Sequence, residues 1–162
     1  MKTIKYFGVM IILLLMLSAI QVGNAAADNT ITVRLQTNGG ALLTGGALQY
    51  HDGTWHTAVD NGDGTFSVTT SASAVTYEMT YNNGRQTYSN IPVSTNPVIF
   101  TTVNTTVALR NSDGADLSGG TVRYHQFGWL DFGNANTALE LLPGAYTFEM
   151  TYNNGRQTFA NY

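Results

Sequence analysis

Three histidines, two short acidic runs, two tryptophans and a twice-repeated arginine are the residues of this 162-residue chain that could do chemistry. His51 and His125 stand at matched positions of an internal repeat, and His56 is unmatched. A zinc site draws three or four converging ligands, chiefly Cys and His. The chain has no cysteine, so these histidines read as outward strand residues beside a hairpin and no metal is expected. Asp60-Asn61-Gly62-Asp63-Gly64-Thr65 has the look of a calcium loop. An EF-hand loop, however, wants acids or amides at alternating positions and a late Glu. Gly62 and Gly64 take two of those positions and Ser71 stands where the Glu belongs. The matching Asp131-Phe132-Gly133-Asn134-Ala135-Asn136 fits no better, so both read as turns. No G-x-S-x-G elbow and no glycosidase-type carboxylate pair occurs. No enzyme activity, catalytic residue or cofactor is expected.

The aromatics are the remaining lead for recognition, because Tyr and Trp rings suit sugar faces. Tyr77 is matched by Phe148 and Tyr88 by Phe159. A site that needed the hydroxyl would not allow that exchange, so these rings read as core. Tyr50 shares an inward face with Leu48, and Tyr81 with Met79, which makes them core as well. Trp55 and Trp129 lie just after a hairpin and are the candidate ligand-binding residues, the competing reading being that they pack over the sandwich end. Arg85 and Arg156 follow a turn and read as solvated cations.

The elements that must position these groups come in two copies. Thr76 to Asn90 reads TYEMTYNNGRQTYSN and Thr147 to Asn161 reads TFEMTYNNGRQTFAN, twelve of fifteen positions identical at an offset of 71. Upstream the offset is 74: Val33 and Leu35 match Val107 and Leu109, Tyr50-His51 matches Tyr124-His125, and Trp55 matches Trp129. Repeats of this kind are copies of one structural unit. Within a copy, apolar residues alternate with polar ones, as in Ile31-Thr32-Val33-Arg34-Leu35 and Val75 to Tyr81. That is the period of a half-buried strand. Asp52-Gly53 and Asn83-Gly84 read as two-residue hairpin turns, the second joining a strand that ends near Asn82 to one that starts at Arg85. About seven short strands per copy predict an all-β fold of tandem Greek-key (Ig-like) sandwiches.

Residues 1–27 read as a secretory signal peptide. Lys2 and Lys5 precede an apolar run from Val9 to Ile20, and Ala25 and Ala27 form an A-x-A cleavage pattern. The run is short for a membrane span, which takes about 20 residues. The expected units are therefore 1–27 as the leader, 28–103 as the first repeat and 104–162 as the second. Tyr162 aligns with Ile91, so the second repeat lacks a counterpart of Pro92 to Val103 and its last strand. The expected explanation is a longer array, with a strand from another chain as the alternative. Only Asn104 lies between the repeats on this division, too short a linker to swing. Beyond residue 27 the chain holds five arginines, no lysine and all ten acidic residues. A net charge of −5 with no basic patch excludes nucleic acid and an anionic membrane surface as partners.

Leu141-Leu142-Pro143-Gly144-Ala145-Tyr146-Thr147-Phe148 resembles the L-P-x-G-x-Y connection of transthyretin-like (prealbumin-like) sandwich modules. These include carboxypeptidase regulatory-like domains and the B-type repeats of bacterial collagen adhesins. Gly119-Gly120-Thr121-Val122-Arg123-Tyr124, with Gly128-Trp129 through Asp131-Phe132-Gly133, is similar to tandem repeats of bacterial surface proteins. The first copy departs from the pattern, with Ser71-Ala72-Ser73-Ala74-Val75 in place of the Leu-Pro-Gly segment. The resemblance implies non-enzymatic stalk or adhesion modules. Some adhesin repeats carry an internal Lys–Asn or Lys–Asp isopeptide bond beside an acidic residue. Glu78 and Glu149 are present here, yet no lysine follows residue 27, so no such bond is expected.

These readings converge on a secreted or cell-surface structural repeat. Its expected partners are further repeats or domains of the same longer chain, and an extracellular glycan or protein. The alternatives are a carbohydrate-binding module centred on Trp55 and Trp129, or an accessory module of a secreted hydrolase.

Overall fold

A computed structural model describes residues 28–160, and the proposed leader lies outside them. The first copy forms eight strands: β1 (Asn29–Gln36), β2 (Ala47–His51), β3 (Trp55–Thr57), β4 (Val59–Asp60), β5 (Thr65–Thr70), β6 (Ala74–Tyr81), β7 (Gly84–Pro92) and β8 (Val98–Thr101). They make two four-stranded sheets, ordered β4-β5-β1-β8 and β3-β2-β6-β7. Pairing is antiparallel except that β1 runs parallel to β8. Ile31, Val33 and Leu35 of β1, Phe66 and Val68 of β5, and Phe100 of β8 meet Leu48, Val75, Tyr77 and Met79 in one buried core. The alternation of the sequence is the cause: successive strand residues face opposite sides, and Thr32 and Arg34 stay outside.

In the second copy β9 (Val103–Thr106), β10 (Thr121–His125), β11 (Trp129–Asn134), β12 (Ala138–Leu141), β13 (Thr147–Tyr152) and β14 (Gly155–Phe159) follow. The sheet β11-β10-β13-β14 repeats the order of β3-β2-β6-β7. The other sheet is a β12-β9 pair, and among the described residues no strand flanks β9 as β8 flanks β1. Val122, Tyr124, Phe132, Leu141, Phe148 and Met150 form a second core. The protein is thus an all-β, sandwich-like fold.

Two turns differ from their sequence readings. The hairpin of β6 and β7 turns on Asn82 and Asn83, with φ of 44° and 52°. β6 stops at Tyr81, which pairs with Gly84 at the start of β7. Two adjacent residues at positive φ are what a two-residue primed turn needs, and Asn tolerates that region. Gly84 is not one of them, so its lack of a side chain has another cause. The loop after β2 has three residues, Asp52-Gly53-Thr54, because His51 pairs with Trp55. Gly53 at φ 130° and the Asp52 N–H bonded to the Thr54 carbonyl at 3.3 Å close it.

The junction also sits earlier than Asn104. β8 ends at Thr101, and β9 already pairs Val103 with Leu141. Between them Thr102 is fully buried, its N–H bonded to the Gln36 carbonyl at 2.9 Å and its hydroxyl to the Glu140 carboxylate.

Candidate functional site

Trp55 opens β3 and Trp129 opens β11, each at the edge of its sheet. Both are exposed, at 52% and 42% of their surface. The packing over the sandwich end that competed for them does not form. Each indole leans on the histidine paired with it across the hairpin: His51 to Trp55 at 5.3 Å between ring centroids, His125 to Trp129 at 5.2 Å. That is what the register His51↔Trp55 and His125↔Trp129 brings together. The Arg123 guanidinium lies 4.9 Å from the Trp129 ring centroid. The unmatched His56 instead meets Asp52 at 3.0 Å and stacks on Tyr50 at 5.1 Å. Asp52 also accepts from the Thr70 hydroxyl at 2.6 Å, and this bond above all lowers its carboxyl below the ordinary 3.8.

The acidic run Asp60 to Gly64 spends its carboxylates locally. Asp60 accepts from the Gly62 N–H at 2.8 Å, and Asp63 accepts from the Thr65 N–H and hydroxyl at 2.9 and 2.6 Å. Among the described residues no three His, Cys, Asp or Glu side chains converge. Glu78 faces Arg85 at 3.3 Å, and the buried Glu149 lies between Arg156 at 3.5 Å and Arg123 at 4.0 Å.

A further set of directed contacts lies where the β6–β7 hairpin meets the second copy. Asn82 donates its carboxamide N–H to the Glu140 carbonyl at 2.9 Å, and its own carbonyl accepts from the Tyr124 hydroxyl at 2.9 Å. Asn83 donates to the Gly128 carbonyl at 2.7 Å. The Arg85 N–H donates to Gln126 Oε1 at 2.8 Å, and its guanidinium covers the Phe127 ring at 4.6 Å. Gly84 is buried, and a Cβ built on it would lie 2.0 Å from Tyr146 Oη. Tyr146 donates that hydroxyl to the Leu142 carbonyl at 2.8 Å. Burial and then the neighbouring Tyr124 push the Tyr146 phenol from 10 up to about 12. Leu142, although a second-copy residue, is buried in the first core, while its neighbour Leu141 is buried in the second.

The socket that seats this hairpin is built from backbone carbonyls, the Gln126 side-chain amide and the rings of Tyr124, Phe127 and Tyr146. Reading the residues alone missed Tyr124, Gln126, Phe127, Glu140 and Tyr146. The signal was present in the differences between copies. Three of them fall where the copies differ: Gln126-Phe127 replaces Asp52-Gly53, and Tyr146 lies where Leu142 to Tyr146 replaces Ser71 to Val75; Tyr124 matches Tyr50 in the first copy and carried no such signal.

The class is an all-β, sandwich-like protein carrying an internal hairpin–socket contact. No protein-family model matches the chain, and no curated protein matches it. Among solved structures it is similar to the Bacillus anthracis TIE protein, with 10% identity and a TM-score of 0.31. The alignment covers 84% of this chain and 31% of that one.

Proposed function

We propose that the chain is a non-enzymatic extracellular structural or adhesion repeat, a stalk or spacer in which successive sandwich modules are held in a stiff row. The observation that carries this reading is the seating of the first copy's hairpin in the second copy's socket. A chain meant only to tether would leave its units free, since inter-domain motion is the default unless the contact is extensive. Here the connection is the single buried residue Thr102, and five directed contacts flank it from Asn82, Asn83, Arg85 and Tyr124. The leader-like residues 1–27 support export, and the array of repeats supports a partner that is more of the same chain. Residual dipolar couplings test it. One alignment tensor should fit both copies; two tensors of clearly different magnitude would sink the spacer reading.

A carbohydrate-binding module is the second reading, favoured by the exposure of Trp55 and Trp129. An exposed indole offers a flat, amphipathic face on which a sugar ring can stack. Retention on polysaccharide resins that falls for Trp55→Ala and Trp129→Ala would establish it, and no retention on any resin would exclude it.

A further inference from the structure

We propose that the β13–β14 hairpin, Asn153-Asn154-Gly155-Arg156, is a docking tab for a further module of this kind, one bearing a socket like that of the second copy. The inference rests on the spacer reading and gives it a direction. The nine residues from Met79 to Thr87 recur unchanged from Met150 to Thr158. They also recur in the same conformation. Asn153 and Asn154 have φ of 47° and 64°, and Tyr152 pairs with Gly155 as Tyr81 pairs with Gly84. Their surroundings are opposite. Gly84 is buried and Asn82 and Asn83 are half-buried, whereas every residue from Asn153 to Thr158 is exposed. Among the described residues nothing accepts from the Asn153 and Asn154 carboxamides. A sequence that binds its socket in one copy is thus presented, preformed and unoccupied, in the other.

The direction follows from the sockets. The second copy's socket is filled by the first hairpin of the same chain. The first copy has no equivalent. Asp52 stands where Gln126 accepts the Arg85 N–H, and that carboxylate is engaged by Thr70 and His56. Gly53 stands in place of the Phe127 ring, and Val75 in place of Tyr146. The first copy can therefore donate a hairpin and not receive one, which makes it the start of a row that extends from the Asn153 end. The occupant fitting the tab is a module with the Tyr-x-Gln-Phe-Gly and Leu-Leu-Pro-Gly-Ala-Tyr segments of residues 124–128 and 141–146.

A chain extended by residues 92–162 after Tyr162 supplies such a socket in register, since Tyr162 is the counterpart of Ile91. Amide hydrogen exchange is read at Arg85 and Arg156. In the 162-residue chain the Arg85 amide, bonded to Gln126, should be protected and the Arg156 amide open. In the extended chain Arg156 should become protected at least tenfold, and Gly155→Val should reverse that. Protection at Arg85 with none gained at Arg156 overturns the tab and leaves the spacer reading standing. An unprotected Arg85 overturns both. A second measurement serves if the extended chain folds poorly. Isotope-labelled 162-residue chain is mixed with unlabelled Gly84→Val chain, whose own hairpin is kept from its socket. Concentration-dependent shifts at Gly155 and Arg156 are expected, and their absence overturns the proposal.

Discussion

The hydroxyl of Tyr146 occupies the space that a side chain at Gly84 would need, 2.0 Å from the position of its Cβ. Gly155 has the same sequence context and hairpin register, and its Cβ would meet nothing nearer than the Tyr152 carbonyl at 3.2 Å, the distance Gly84 shows to the Tyr81 carbonyl. The two glycines are an internal control for each other. Gly84→Ala should lower stability by about 1–3 kcal/mol, the usual range for overpacking. Gly155→Ala should change it by less than about 0.5 kcal/mol, as for an exposed site. Paired urea titrations of the two variants measure the difference, and equal losses would mean that the socket does not select glycine.

Tyr146 also makes the contact sensitive to alkali. Its phenol is raised from 10 to about 12, first by burial and then by Tyr124, and burial raises Tyr124 and Tyr77 as well. Below pH 10 folded and unfolded chains both keep the proton. Between 10 and 12 the unfolded chain releases it while the folded chain holds it, so stability falls as pH rises. For Tyr146 the loss by pH 12 is on the order of 3 kcal/mol at 1.36 kcal/mol per pH unit. Melting temperatures should be level up to pH 10 and then drop. Tyr146→Phe should be less stable at pH 7 by about 1 kcal/mol, for the lost bond to the Leu142 carbonyl, and should show a shallower alkaline fall.

The hydroxyl of Tyr77 is fully buried and has no hydrogen-bond partner among the described residues. Its counterpart in the second copy is Phe148, which fills the same place in its own core without that group. An unpaired buried hydroxyl is destabilising by about 1–3 kcal/mol. Tyr77→Phe should therefore leave stability unchanged or raise it, by up to about 1 kcal/mol. A clear loss in a chemical denaturation curve would show that the hydroxyl has a partner.

Arg85 reaches across the junction to Phe127 and back to Glu78 within its own sheet. A double-mutant cycle of Arg85→Ala and Phe127→Ala should give a coupling of about 0.5–1 kcal/mol, the size of an exposed cation–π contact. Arg156 has the matching ion pair with Glu149, but among the described residues no ring lies against its guanidinium. Arg156→Ala combined with Phe127→Ala should be additive within about 0.3–0.5 kcal/mol.

Much of the fold was legible in the residues. Period-two alternation placed β1 and β6 and their buried residues Ile31, Val33, Leu35, Val75, Tyr77 and Met79, because a strand that buries one face must alternate. The exchange Tyr77/Phe148 marked two buried core rings, because packing needs the ring and not the hydroxyl, whereas Tyr88 and Phe159 are only partly buried against their cores. Turn composition marked where chains reverse but misplaced the centre of the Asn82-Asn83 turn. Asn and Gly both tolerate positive φ, so N-N-G admits two placements, and strand register decides between them.

What the sequence by itself determined is local: two copies of one strand pattern, their hairpins, and the absence of lysine and cysteine beyond residue 27. Tertiary structure alone decided that the same nine residues serve in two surroundings. Sequence carries the hairpin's conformation, because φ preferences and strand pairing act over a few residues. It does not carry the hairpin's partner, because Tyr124, Gln126, Glu140 and Tyr146 lie 41 to 62 positions from the residues they meet and reach them only once both sheets are in place. Gly84 shows the division most plainly: its smallness answers to Tyr146, a residue of the other copy.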